Sequence, residues 1–148
     1  MKQVANHYKS IVVAVDGSKE AEYAFRKSID VATRNRGSVL NIVNVIDTRS
    51  IGAYDRSIVD HARQQSEELL NGYKAQAEAE GIENVQILVE LGSPKNIIPT
   101  ELANSVEADL IICGATGLNA VERFLIGSVS EAIVRSANCD VLVIRTPE

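Results

Sequence analysis

The chain has 148 residues, of which 45% are hydrophobic and 24% are charged, and its formal net charge is −5. These values are typical of a single globular domain over residues 1–148. The sequence contains no apolar run long enough to cross a membrane. The negative net charge argues against DNA or RNA as a partner. Only two cysteines are present, and residues 1–10 lack the apolar stretch of a secretory signal, so we expect a reduced, cytoplasmic protein.

Strand-like and helix-like patterns alternate along the whole chain. Short apolar runs, typical of buried strands, are separated by segments with apolar residues at helical spacing. In chain order we predict a strand at 11–15, a helix at 21–32, a strand at 39–45, a polar loop at 47–58, a helix at 59–77, a strand at 85–91, a short helix at 94–105, a strand at 110–113, a helix at 128–136 and a strand at 141–144. Pro99 would remove a hydrogen bond from the third helix, so we expect that helix to be short or kinked.

Strands that are apolar on both faces and alternate with helices predict a mainly parallel sheet with helices on both faces. Covering both faces requires the strand order to reverse once. We therefore predict a doubly wound, Rossmann-like α/β fold with five strands in the order 3-2-1-4-5. The carboxyl ends of the first and fourth strands then meet at the switch point, which is where such sheets bind ligands.

A glycine-containing segment follows the fourth strand and returns to a predicted helix start. Glycines allow backbone N–H groups to approach a phosphate, and a helix N-terminus adds partial positive charge. The two halves of the segment, nine residues apart, are Gly114-Ala115-Thr116-Gly117 and Gly127-Ser128-Val129-Ser130. A purely structural interpretation stays open, because glycines are common in turns and Ser128 with Glu131 matches a capping box.

A second polar turn, Asp16-Gly17-Ser18, follows the first strand. An Asp-Gly pair often does no more than cap a turn. In the predicted strand order, however, this turn and the glycine-containing segment converge on the switch point. Their convergence favours a small-ligand site over turn chemistry alone.

These residues resemble the universal stress protein family, in its ATP-binding branch, over nearly the whole chain. The nucleotide motif of that family is Gly, two residues, Gly, nine residues, Gly and then Ser or Thr. Gly114, Gly117, Gly127 and Ser128 match it without gaps. Further resemblance lies in residues 11–18, 44–47, 92–94 and 108–147.

The resemblance implies an ATP site whose residues are assigned by position. Asp16 would lie at the adenine and ribose, with Ala14 and Val15 as the floor and Val45 packed on the adenine ring. The ribose and phosphate side would be lined by Cys113, Gly114, Thr116 and Gly117. The phosphates would be held by the amides and hydroxyls of Gly127, Ser128, Val129 and Ser130. Thr116 stands where the family often has a basic or histidine side chain, which weakens the expected affinity for phosphate.

The resemblance also implies a homodimer through the last strand. That strand is apolar on both faces although it lies at a sheet edge in the predicted order, and proteins usually cover such an edge. Its residues are Val141, Leu142, Val143 and Ile144. The loop at 47–58, which contains Arg49 and Arg56, lies at the mouth of the predicted crevice. We expect this loop to be mobile without ligand and ordered with it.

The expected function is that of a cytosolic ATP-binding sensor or regulator in the stress response, with Mg²⁺ or Mn²⁺ accompanying the ATP. The chain lacks a P-loop lysine and an evident general base near the phosphate segment, so ATP would be hydrolysed slowly at most. Two alternatives stay open: a nucleotide-hydrolysing or adenylating enzyme of the related α-hydrolase-like fold, and a nucleotide-free dimerisation scaffold. Such enzymes carry Ser-Gly-Gly-x-Asp-Ser after the first strand, where this chain has Val15-Asp16-Gly17-Ser18.

Overall fold

The structure, a computed structural model, describes residues 7–49, 55–116 and 126–147. Its strands and helices, in chain order, are β1 (Ser10–Ala14), α1 (Lys19–Arg34), β2 (Val39–Asp47), α2 (Arg56–Ala79), β3 (Val85–Gly92), α3 (Pro94–Ile97), a π-helical turn (Ile98–Leu102), α4 (Ala103–Ser105), β4 (Leu110–Gly114), α5 (Ser128–Ser136) and β5 (Asp140–Ile144). The five strands form one parallel sheet in the order β3-β2-β1-β4-β5. The predicted doubly wound fold and strand order are therefore confirmed.

The switch point lies between β1 and β4. Ile11 of β1 is paired with Leu40 of β2 on one side and with Leu110 of β4 on the other. Further along, Val13 is paired with Ile112, so the residues that follow both strands emerge at the same edge of the sheet. This edge is where the sequence places both polar turns.

Each face of the sheet is covered by its own apolar cluster. α1 and α2 pack on one face, where the rings of Phe25 and Tyr73 lie 4.6 Å apart between centroids. The π-helical turn and α5 cover the opposite face with Ile98, Leu102 and Ile133. Because side chains on both faces of the central strands β1 and β4 are buried, these two strands are continuous apolar runs, which is the pattern that allowed the fold to be predicted.

α2 begins earlier than predicted, because Asp55 caps it. The Asp55 carboxylate accepts hydrogen bonds from the Ser57 backbone N–H over 2.9 Å and from its hydroxyl over 2.7 Å. β2 also extends to Asp47, which is paired with Gly92 of β3. The predicted loop at 47–58 is therefore too long at both ends, and its residues 50–54 lie outside the described residues.

In the described part of the chain, no helix is long and apolar enough to cross a membrane.

The segment after β3 is broken as Pro99 led us to expect. Pro99 is buried within the π-helical turn, between two helical pieces of four and three residues. Because proline has no N–H to donate, the regular α-helical hydrogen-bond pattern is interrupted there. The wider turn places Ile98 and Leu102 against the sheet.

Candidate functional site

The turn after β1 is built by local hydrogen bonds. The Ser18 backbone N–H donates to Asp16 Oδ1 over 3.0 Å, and Ser18 Oγ in turn accepts from the Ala21 N–H over 3.0 Å at the start of α1. Gly17 between them has φ 86°, a conformation that favours glycine. Asp16 and Ser18 therefore do cap the turn, as an Asp-Gly pair often does. Asp16 is nevertheless exposed at the switch point, where its carboxylate can also meet a ligand.

The end of β4 and the start of α5 lie side by side. The Gly127 N–H donates to the Ala115 carbonyl over 2.7 Å, and the Ala115 N–H donates to the Ile144 carbonyl over 2.8 Å. The glycine-containing segment thus leaves the sheet at Ala115 and returns beside it. Gly117 of the predicted motif lies outside the described residues. Thr116, the last described residue before it, is half-buried.

The glycines on either side of this contact have different structural reasons. A Cβ atom at Gly114 would lie 3.1 Å from the Glu20 carbonyl oxygen, closer than an ordinary contact, so a side chain there requires the backbone of α1 to shift by a few tenths of an ångström. A Cβ atom at Gly127 would lie 3.4 Å from the Ala115 carbonyl oxygen, at the limit of normal contact. Packing therefore disfavours a side chain at Gly114 more than at Gly127, where alanine is tolerated.

The first turn of α5 has no capping side chain among the described residues. Gly127 occupies the N-cap position, with φ −65° and ψ 160°. The capping box that Ser128 and Glu131 match in the sequence does not form: the helix begins at Ser128 itself, and the Glu131 carboxylate pairs instead with Arg135 over 2.6 Å. The first N–H groups of a helix have no carbonyl partners within it, so an uncapped start is suited to an anion.

Ser130 joins α5 to β4 through its side chain. Its hydroxyl donates to the Gly114 carbonyl, and the residue is 5% exposed. The resemblance assigned this hydroxyl to the phosphates, but here its proton is used within the protein. The neighbouring Cys113 is also buried, and burial raises the pKa of its thiol, an effect that a hydrogen bond with Ser130 partly opposes. Cys113 is thus a neutral, buried thiol at pH 7.

The apolar residues assigned to the site divide between the two faces of the sheet. Four of them belong to the cluster under α5: Ala14, Val45, Cys113 and Val129. Val15 packs in the opposite cluster, against α1 and α2. The structure therefore brings four of the predicted site residues together, and Val15 can contribute to this surface only through its backbone.

Arg49, at the end of β2, is engaged by a neighbouring carboxylate. Its guanidinium donates to Asp47 over 2.9 and 3.1 Å. These hydrogen bonds hold the pKa of Asp47 below its usual value. The Arg49 side chain is still 73% exposed, so a ligand phosphate can compete for it. Arg56, the other arginine of the predicted loop, is the exposed first residue of α2.

Sequence reasoning missed Asn44, a polar residue inside an apolar strand. Its side-chain amide donates to the Val15 carbonyl over 2.7 Å, and its oxygen accepts from the Ser66 hydroxyl over 2.7 Å. The signal available in the sequence was the interruption of the β2 apolar run close to its carboxyl end.

Within residues 7–49, 55–116 and 126–147, no group of three His, Cys, Asp or Glu side chains is placed to hold a metal ion.

Comparisons with known proteins agree on one family. The model of the universal stress protein family matches residues 7–145. A protein of Staphylococcus saprophyticus named as a universal stress protein is 56% identical over 144 residues, which are 95% of this chain and 86% of that protein. Among solved structures, the universal stress protein UspA from Lactobacillus plantarum superimposes with a TM-score of 0.83 at 28% identity, covering 95% of this chain and 100% of that one.

Two further structural neighbours were solved with adenine nucleotides. A universal stress protein in complex with cAMP has a TM-score of 0.75 at 25% identity and covers 96% of this chain and 100% of its own. The universal stress protein from Archaeoglobus fulgidus, in complex with dAMP, has a TM-score of 0.66 at 28% identity and covers 93% of this chain and 98% of its own. Two universal stress proteins with this fold, 25% and 28% identical to this chain, thus bind adenine nucleotides.

Proposed function

Because this chain belongs to the universal stress protein family, we propose that it binds ATP at the switch point between β1 and β4 and acts as a cytoplasmic sensor or regulator of the stress response. The observation that carries the proposal is the uncapped start of α5, held beside the end of β4 by the hydrogen bond from Gly127 to Ala115. N–H groups and the helix dipole attract phosphate at such a position. The adenine nucleotides held by two structural neighbours support the choice of base.

In this proposal the phosphates lie against the first turn of α5. The backbone N–H groups of Ser128, Val129 and Ser130 are the donors, and the exposed Ser128 hydroxyl adds another. The Ser130 hydroxyl acts by fixing the helix to the Gly114 carbonyl. No lysine lies between residues 114 and 130. In this proposal the backbone N–H groups and the Ser128 hydroxyl bind the phosphates in its place.

The nucleoside end of ATP lies towards β1 and β2. Asp16 accepts hydrogen bonds from ribose hydroxyls, as a carboxylate readily does. Ala14 and Val45 provide an apolar surface on the α5 side of the sheet for the adenine ring. Gly117, which lies outside the described residues, belongs to the ribose and phosphate side of this proposed site.

The metal in this proposal arrives with the nucleotide. Mg²⁺ keeps several of its waters and usually binds through substrate phosphates and one or two carboxylates, and Mn²⁺ suits the same oxygen ligands. The described residues provide no three-ligand cluster, which fits a metal held mainly by the phosphates. Metal binding without ATP is therefore expected to be weak.

The proposed site favours retention of ATP over its hydrolysis. Phosphoryl transfer is accelerated by cationic groups and by a residue that positions the attacking nucleophile. The phosphate segment has no lysine, its Glu122 and Arg123 lie outside the described residues, and the carboxylate assigned to the site, Asp16, is placed at the ribose. A regulator that changes its state with bound nucleotide fits these residues better than the enzyme alternative.

The edge strand β5 is the proposed dimer interface. Leu142 is 38% exposed on this strand, and Val141 and Val143 are only partly buried against the α5-side cluster. Pairing of β5 with the same strand of a second copy covers these side chains and satisfies the open backbone edge. The scaffold alternative shares this dimer and differs only in lacking nucleotide.

Identification of the co-purified nucleotide tests the proposal. We expect acid-denatured protein to release a sub-stoichiometric amount of ATP or another adenine nucleotide, because a micromolar site is filled in the cell but loses part of its nucleotide during purification. The emptied sites should load again when ATP and Mg²⁺ are added. Turnover of added ATP with Mg²⁺ is expected well below about 1 s⁻¹, the lower end of the usual enzyme range. Turnover above that value favours the enzyme alternative. Release of no nucleotide, together with failure to load ATP, favours the scaffold.

A further inference from the structure

Two consecutive side-chain hydrogen bonds connect α2 to the backbone that leads into Asp16. The Ser66 hydroxyl donates to Asn44 Oδ1, and Asn44 Nδ2 donates to the Val15 carbonyl, each over 2.7 Å. Ser66 is 6% exposed and Asn44 is half-buried, so water competes little for these groups. We refer to Ser66, Asn44 and the Val15 carbonyl as the relay.

The relay begins where the sheet hydrogen bonds of β1 end. Ala14 is the last residue of β1 in register with β2, and the Val15 N–H still donates to the Val43 carbonyl over 2.9 Å. The Val15 carbonyl lies beyond this ladder and takes the side-chain amide of Asn44 as a partner. The next residue is Asp16, so the relay fixes the peptide group from which the Asp16 turn starts.

Ser66 is also the first buried residue of α2. The buried residues of this helix are Ser66, Leu70, Tyr73 and Ala77. The ten residues from Arg56 to Gln65 precede all of them, and Ile58 among these is 46% exposed. The end of α2 nearest the switch point is thus held to the sheet at Ser66, through Asn44.

We propose that Asn44 and Ser66 are positioning residues for the nucleotide site, which hold Asp16 in place and couple it to α2. The inference rests on the proposed function, because it assigns Asp16 to the ribose. Asn44 suits the task because an amide donates and accepts at once, whereas aspartate cannot donate and leucine can do neither. Loss of either hydrogen bond lets the Val15 carbonyl move, and the Asp16 carboxylate then moves with it.

A second buried asparagine on β2 provides a matched control. Asn41 Nδ2 donates to the Ile11 carbonyl over 3.0 Å, and its oxygen accepts from Gln86 of β3. This network resembles the relay in chemistry, but it lies towards the amino ends of the strands, away from Asp16. Gln86→Ala removes one of its hydrogen bonds, as Ser66→Ala removes one from the relay.

A double-mutant cycle in ATP binding tests the proposal. We expect Ser66→Ala to weaken the affinity for ATP with Mg²⁺ about fivefold, the effect of losing one hydrogen bond that positions a ligand contact. In an Asp16→Ala background, Ser66→Ala should cause no further loss, because the group that it positions is gone. Gln86→Ala should leave the affinity for ATP unchanged in both backgrounds. Equal losses from Ser66→Ala with and without Asp16 would show a general structural effect and overturn the proposal.

Hydrogen exchange of the ligand-free protein supplies a second readout that needs no nucleotide. Ser66→Ala should speed exchange of the amides at 15–18 severalfold, while Gln86→Ala leaves them unchanged. Unchanged exchange at 15–18 in Ser66→Ala overturns the relay even if ATP binds. Faster exchange in a protein that binds no ATP instead refutes the proposed function and leaves the mechanical coupling in place.

Discussion

Asp16 combines a structural contact with the ligand contact that we propose for it. Its Oδ1 accepts the Ser18 N–H over 3.0 Å, and this hydrogen bond shapes the turn before α1. The exposed carboxylate would in addition accept from the ribose hydroxyls. The two contacts can be separated, because asparagine keeps the acceptor oxygen of the turn but loses the charge.

Substitution at Asp16 therefore has two predicted results. Asp16→Asn should leave the free energy of unfolding unchanged and weaken ATP binding about tenfold, because a charge-assisted hydrogen bond becomes a neutral one. Asp16→Ala should weaken binding at least as much and also cost about 1 kcal/mol of stability through the lost turn contact. Calorimetric titration and urea unfolding measure the two quantities. Wild-type affinity in both variants would exclude Asp16 from the ligand.

The edge strand β5 is the element on which the proposed dimer depends. Leu142→Lys should give a monomer at micromolar concentration, because it places a charge in an apolar edge and desolvation of that charge opposes pairing. Ile58→Lys is the matched control, since Ile58 is 46% exposed on α2, which packs against β2 and β3 at the other edge of the sheet. Light scattering should show a dimer for wild type and the control. A dimer that survives Leu142→Lys, or a monomeric wild type, contradicts the assigned interface.

The connection between β2 and α2 is expected to respond to ATP. Arg49 donates a hydrogen bond to Asp47, and a phosphate can replace that carboxylate as its partner. ATP should therefore slow hydrogen exchange in residues 47–58, while Arg49→Gln should reduce this protection. Lys27→Gln, which removes the same charge from α1, serves as the control. Identical exchange with and without ATP would show that the connection takes no part in binding.

At the scale of the whole molecule, the fold was largely predictable from the sequence. Strands buried on both faces leave continuous apolar runs, and covering both faces allows few strand orders, so the order was confirmed. Local cap chemistry was harder to predict. Asp55 was overlooked as the N-cap of α2, and the match of Ser128 and Glu131 to a capping box was misleading because Gly127 takes the cap position.

The supporting contacts of the candidate site could not be read from the sequence. Asn44 and Ser66 are 22 residues apart, and only the packing of α2 on the sheet brings them together. The packing contact at Gly114 could not be predicted from the sequence either. Its match to a nucleotide motif concealed a packing requirement, because a side chain at this position would press on the Glu20 carbonyl. A motif position can thus serve the fold and a ligand together.

This double role decides which glycine variant can test the site. Gly114→Val would disturb the packing of α1, so lost binding could not be assigned to the ligand. Gly127→Val is the cleaner change, because a Cβ atom there meets the Ala115 carbonyl oxygen and the Thr116 Cα only at 3.4 Å. In the proposed site, a branched side chain beside the first turn of α5 would crowd the phosphates. Gly72→Ala is the control, since a Cβ atom at this position of α2 has no heavy atom within 4 Å.

Calorimetric titration of the wild-type protein with ATP and Mg²⁺ tests the central claim most directly. We expect a single site with micromolar affinity, about −8 kcal/mol, in wild type and in Gly72→Ala. Gly127→Val should keep a cooperative unfolding transition and lose the binding heat. If wild type shows no binding at millimolar ATP, or Gly127→Val binds ATP as wild type does, no nucleotide site lies at the start of α5.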